Sequence, residues 1–179
     1  IAFRENPNYL PKILEKGKKF NIQGLAINSE VSDFGGNLQN GKLYITSARS
    51  GKRKTYGWNE EPFLDIYTAI ANEDGSFQMP SIIEDNINTK YHEGTVSFSP
   101  DGNTMYFSRE SFYEKVYERD PSTKYKISVL HLYKSINQEG QWSEAEPLSV
   151  NGDNYSVKNP SVSADGSTLY FASDKADGY

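Results

Sequence analysis

The sequence predicts an all-β fold made of repeated, four-stranded antiparallel units, and three observations predict it. A strand–turn–strand pattern occurs three times: VSFSPDGNTMYFSR over Val96–Arg109, VSADGSTLYFASD over Val162–Asp174, and a weaker GNLQNGKLYITSAR over Gly36–Arg49. The tyrosines after the three turns, Tyr44, Tyr106 and Tyr170, are 62 and 64 residues apart, which marks one β unit used repeatedly. Aromatic residues make up 13% of the 179 residues, 13 of them tyrosines, a composition that suits amphipathic sheets better than a helical bundle.

Residues 1–21 read as a lead-in segment. Pro7 and Pro11 punctuate it and leave room for one short helical piece around Leu10–Gly17. Its lysines, Lys12, Lys16, Lys18 and Lys19, read as a solvated strap. The first unit, about 22–80, turns at Asn40-Gly41, the strongest short hairpin signal, and returns along Lys42–Thr46. A polar loop, Ser47–Pro62, precedes a third strand over Asp65–Ala71. Asn72–Gly75 then turns into a short fourth strand, Ser76–Met79. The second unit, about 81–146, repeats the order. Gly94–Ser99 and Thr104–Arg109 flank the Pro100-Asp101-Gly102 turn, a polar insertion fills 110–127, and Ser128–Ser135 and Gln141–Glu144 complete the set. The third unit, about 147–179, contains Pro160–Ser163 and Ser167–Ser173 around Ala164-Asp165-Gly166 and is incomplete. Four-stranded sheets arranged radially make a β-propeller. The expectation is therefore a partial β-propeller with a repeat of about 62–64 residues.

The turn residues have local reasons. Proline at position 100 sets φ for the second turn position, Asp101 suits the third, and Gly102 accepts positive φ. Asp165 and Gly166 repeat the pattern without proline, and Asn40 and Gly41 form its two-residue counterpart. Asp101 and Asp165 read as acceptors for nearby amides. They occupy equivalent positions in different units, so a paired-carboxylate glycosidase is not expected of them. The calcium pattern D-x-[DN]-x-[DN]-G is missing. In the return strands, Leu43 and Ile45, Met105 and Phe107, and Leu169 and Phe171 alternate with the tyrosines and read as core.

Nothing in the chain points to catalysis. There is no cysteine, which excludes thiolate chemistry and sulfur-ligated zinc, and no G-x-S-x-G elbow or phosphate loop. The two histidines read as structural: His131 in an alternating strand, His92 in a turn. The net charge of −5 argues against a nucleic-acid partner. No run of about 20 apolar residues exists to span a membrane as a helix. Ile1 in place of Met predicts a processed chain or part of a longer one. No catalytic residue, metal site or cofactor is expected.

The S-x-D-G-x-T-x-Y-F centres of Val96–Arg109 and Pro160–Asp174 resemble the WD40-like repeats called PD40, found also in TolB-type propellers. Three further features resemble the form found in Bacteroidetes outer-membrane proteins of the OmpA family: Ile27-Asn28-Ser29 before Ser32-Asp33-Phe34-Gly35, Asn86-Ile87-Asn88 before Tyr91-His92-Glu93-Gly94, and Asp65-Ile66-Tyr67. That subgroup includes a component of the type IX secretion and gliding machinery. The resemblance covers about residues 22–179. It implies a periplasmic or outer-membrane-associated setting, protein partners in the cell envelope, further blades from the same polypeptide, and peptidoglycan reached through domains outside these residues.

The expected function is a non-catalytic interaction or scaffold module, with loops choosing the partner on a stiff β frame. Both long loops follow the same hairpin position, so Arg49–Trp58 and Phe112–Tyr125 should share a face. The candidate partner-binding residues are Arg49, Tyr56, Trp58, Phe112, Tyr113 and Tyr117. The alternative is binding of a glycan or peptidoglycan fragment by the same loops. A hydrolase is the least favoured reading.

Overall fold

The computed structural model describes residues 9–17, 22–83, 86–123 and 125–176. Of the lead-in segment, residues 9–17 are described. They contain helix α1, Tyr9–Lys16, over the stretch where a short helix is expected. The remainder of 1–21, with Lys18 and Lys19, lies outside the described residues, as do 177–179 of the third unit.

The first sheet follows chain order: β1 (Asp33–Gln39), β2 (Lys42–Ser47), β3 (Asp65–Ile70) and β4 (Ser81–Ile82), all antiparallel. Asn40 and Gly41 join β1 to β2 with φ of 49° and 72°, the double positive φ of a type I′ turn. The second sheet holds β5 (Glu93–Phe98), β6 (Thr104–Glu110) and β9 (Leu130–Gln138). Two short strands, β10 (Gln141–Trp142) and β11 (Glu146–Pro147), both pair with β9. Between β6 and β9 the insertion forms a short 3-10 turn at Ser111–Glu114 and a ribbon of β7 (Glu118–Arg119) and β8 (Lys126–Ile127). A last hairpin pairs β12 (Val157–Val162) with β13 (Leu169–Ser173).

These pairings correct the expected architecture. The all-β character is real, but the strands form four separate sheets of four, five, two and two strands. Among the described residues none closes on another, and they form no β-propeller of four-stranded blades. Hairpins are specified by turn chemistry and alternation within about 15 residues of chain. A ring depends on angles between sheets, which those local signals do not carry. A second correction concerns Ser76–Met79. Only Phe77 pairs there, as an isolated bridge to Ala71, and the fourth strand lies beyond Pro80 at Ser81–Ile82.

The core lies between the first two sheets. Tyr44, Ile66, Ile83, Ile87, Val96, Phe98, Met105, Phe107 and Tyr133 form one buried cluster, with Trp142 and Ala145 against its edge. Burying each large side chain contributes about 1.5–3 kcal/mol. The hairpins β1–β2, β5–β6 and β12–β13 each slip register near the start of their first strand, at Phe34/Asn37, Glu93/Val96 and Lys158/Ser161. At each slip one residue takes positive φ: Gly35, Gly94 and Asn159. At two of them the bulge meets the second strand of the preceding hairpin. Gly94 sits against Thr46 of β2, and the Asn159 amide donates to Ser108 Oγ of β6 at 3.1 Å. The Val162 amide donates to Ser97 Oγ, which ties β12 to β5. Successive hairpins are thereby held side by side.

Candidate functional site

The ends of the strands where the two long loops emerge are organised by ion pairs that repeat with the sequence. In the first unit, Asp33 accepts from the Ser29 amide and hydroxyl and from Arg49 Nη2 at 2.7 Å, while Arg49 Nη2 also reaches the Ile27 carbonyl. In the second, Glu93 accepts from the Thr89 amide and hydroxyl and from Arg109 Nε at 3.1 Å, while Arg109 Nη2 reaches the Ile87 carbonyl. The acid precedes its arginine by 16 residues in both. The electrostatics differ. Burial draws the Asp33 carboxyl up, but hydrogen bonds from Ser47, Ser29 and Arg49 outweigh it and hold it near 2. Glu93 is almost fully buried, and burial wins, pushing its carboxyl up to about 7.

A second repeated pair tethers the loops. Asp65, first residue of β3, takes a two-pronged contact from Arg53 in the 48–64 loop, with Nη2 at 2.6 Å and Nε at 2.9 Å. His131 near the start of β9 meets Glu114 of the insertion. The polarity is reversed between the two units, but each loop is anchored to the strand that follows it. Arg49 and Arg109 stack over aromatic rings as well, Arg49 over Tyr67 and Arg109 over Tyr113 and Tyr133.

Between these anchors lies an open groove of about 600 Å³. Phe34, Tyr56, Trp58 and Leu64 line it from the first unit, His92, Glu93 and Glu110 from the second, and Lys158 and Asn159 from the third. His92 holds the groove together. Its Nδ1 accepts the Leu64 amide at 3.0 Å, so its proton resides on Nε2 in the neutral ring, and Nε2 is buried with no hydrogen-bond partner among the described residues. Tyr56 and Phe63 pack on the imidazole at 4.7 and 4.5 Å between centroids, and burial lowers its pKa to about 4.

The candidate residues are distributed unevenly around this groove. Tyr56 and Trp58 line it, and Trp58 is 84% exposed. Phe112 packs on Tyr91 at 5.7 Å and on Tyr117 at 5.9 Å, so the second loop joins the first through the Tyr91-His92 step. Tyr113 lies over Arg109 and edge-on to Tyr133, and Arg49 is committed to Asp33. Tyr117 carries Lys126 over its ring. The turn residues lie at the other end of the hairpins. Gly102 and Gly166 take φ of 75° and 73°, and Ser99–Gly102 and Ser163–Gly166 close by backbone bonds of 2.8 and 2.9 Å. Asp101 accepts from Ser99 and Asn103, and Asp165 from Ser163 and Ser167. Pro100 packs beside Gly166, and Gln39 and Asn40 beside Gly102, so the three turns form a row.

Sequence reasoning missed Asp33, Glu93, Arg109, Arg53 and Glu114. The signal for the first three was present: I-N-[ST] followed by an acid and then arginine, at the same spacing in both units. It also missed Asn88 and Asn151, whose amides bracket Ile66 and Leu132 by accepting the backbone N–H and donating to the C=O.

Among the described residues, no group of three or more His, Asp or Glu is placed to hold a metal ion, and no helix is long and apolar enough to cross a membrane. No family model, no curated protein and no solved structure matches the chain. Together with the four open sheets, this overturns the resemblance to PD40 and WD40-like repeats, to the OmpA family and to the Bacteroidetes type IX secretion machinery. The S-x-D-G-x-T-x-Y-F centre is accounted for by the turn it builds, in which Asp and Ser side chains satisfy local amides.

Proposed function

We propose that the domain is a non-catalytic interaction module that binds a protein partner along the groove and the adjoining aromatic line from Tyr56 to Tyr117. The observation that carries this reading is Trp58. Its indole is exposed on a loop that Arg53 pins to the buried Asp65 carboxylate. A large ring held in water by a fixed loop is costly in isolation and is the type of residue that dominates interfaces. Phe34, exposed on the same groove, extends the apolar surface. The cell-envelope setting was carried by the overturned resemblance alone and forms no part of this proposal.

The test is photo-cross-linking in the source cells from a reactive residue placed at Asn59. The expected product is one discrete protein adduct that Trp58→Ala abolishes. A saturable response of the purified chain to muropeptides, lost in Trp58→Ala and Tyr113→Ala, would establish the glycan alternative instead.

A further inference from the structure

The groove contains one carboxyl group that lacks a counter-charge. Asp33, Asp65, Glu93 and Glu114 each face a cationic or protonatable partner: Arg49, Arg53, Arg109 and His131. Glu110, the last residue of β6, is 6% exposed and lines the groove, yet no cation pairs with it among the described residues. Among the described residues, the only hydrogen bonds to its carboxyl come from neutral donors at the limit of bonding distance, Ser128 Oγ and the His92 amide, each at 3.4 Å. A carboxylate with both oxygens so weakly engaged retains most of its acceptor capacity. Leaving it buried without a partner disfavours its charged form, because desolvation is not offset by a counter-charge. Burial accordingly pushes its pKa up. The same groove offers the face of Trp58, while Tyr56 is already occupied by Phe63 and His92.

A buried carboxylate and a free aromatic face in one groove are the two elements that recognise a guanidinium or ammonium group. We propose that the groove receives a basic side chain, arginine or lysine, from the protein partner, with its cation on Glu110 and its stem or plane against Trp58. This rests on the interaction reading above and specifies its partner. The net charge of −5 favours approach of a basic segment. Lys158 is the one cation among the described lining residues; it is exposed and makes no ion pair with Glu110, and its like charge opposes a cationic ligand in the groove.

The test is an NMR titration of the full chain with acetyl-arginine amide, acetyl-lysine amide and the uncharged acetyl-norleucine amide. The readouts are the Trp58 indole and the Glu110 carboxyl. Both signals should shift saturably with the cationic probes, and the norleucine probe should bind at least about tenfold more weakly. Glu110→Gln should erase that difference, and Lys158→Ala should tighten the cationic probes. Equal binding of the neutral probe, no response to any probe, or full selectivity in Glu110→Gln would overturn the assignment. If Glu110→Gln does not fold, Trp58→Ala at the surface carries the comparison, and undiminished cation binding there has the same force. A cross-link from Asn59 that survives Glu110→Gln but not Trp58→Ala would discard the basic side chain while keeping the interaction reading.

Discussion

His92 and Glu93 are neighbours in sequence whose titrations oppose one another. The His92 pKa is lowered to about 4 by burial, so the folded state binds fewer protons than the unfolded chain, and stability is lost as pH falls from about 6.5 toward 4. The Glu93 carboxyl is raised to about 7, so the folded state holds a proton that the unfolded chain releases. That stability is fully present below about 4.5 and is lost as pH rises through 7. Glu110, raised as well, adds to the Glu93 direction. Between about pH 4.5 and 6.5 the opposing slopes largely offset, and single substitutions should expose them. His92→Asn, whose amide oxygen can still accept the Leu64 N–H, should steepen the loss of stability between pH 5 and 6.5 by about 1.4 kcal/mol per pH unit. Glu93→Gln should change the slope by a similar amount in the other direction. Urea unfolding at a series of pH values measures both, and slopes unchanged from the parent would show that neither group titrates as argued.

At the scale of the element, the bulges decide how hairpins meet. Gly94 has φ of 126°, and a Cβ there would lie 2.9 Å from Thr46 Cβ, itself buried in β2. Gly41 also has positive φ, but a Cβ there meets nothing within 4 Å. Gly41→Ala should therefore cost about 1 kcal/mol, the backbone strain alone, whereas Gly94→Ala should cost about 2–4 kcal/mol because strain and collision add. Thermal or urea midpoints of the two variants separate the contributions, and equal costs would mean that the neighbouring hairpin yields freely. The turns and return strands were legible in the sequence because Asn-Gly, Pro-Asp-Gly and period-two alternation act within a few residues. The bulges were not, since Gly94 reads like any strand-initial glycine until Thr46 is known to face it. The same applies to the site. Tyr56 and Trp58 were visible as aromatics in a loop, but Glu110 became a candidate only once every other buried acid had found its cation.

At the scale of the molecule, the repeat in sequence is more regular than the repeat in burial. Phe107 and Phe171 occupy the same place in the Y-F step after their turns, and both read as core from alternation. Phe107 is fully buried, stacked on Tyr133 of β9 at 5.9 Å. Phe171 is 42% exposed and its neighbour Tyr170 is 62% exposed, because among the described residues β13 pairs with β12 alone, whereas β2 is also covered by β3 and β6 by β9. A side chain's worth thus depends on the strand that covers it rather than on the motif it belongs to. Phe107→Ala should cost about 3–5 kcal/mol and Phe171→Ala about 1 kcal/mol or less in urea unfolding. The difference should also appear in hydrogen exchange, with β13 amides exchanging well before those of β6. Equal costs at the two positions would mean that the face of β13 carrying Phe171 is covered in solution, and that this hairpin is a second contact surface beside the groove.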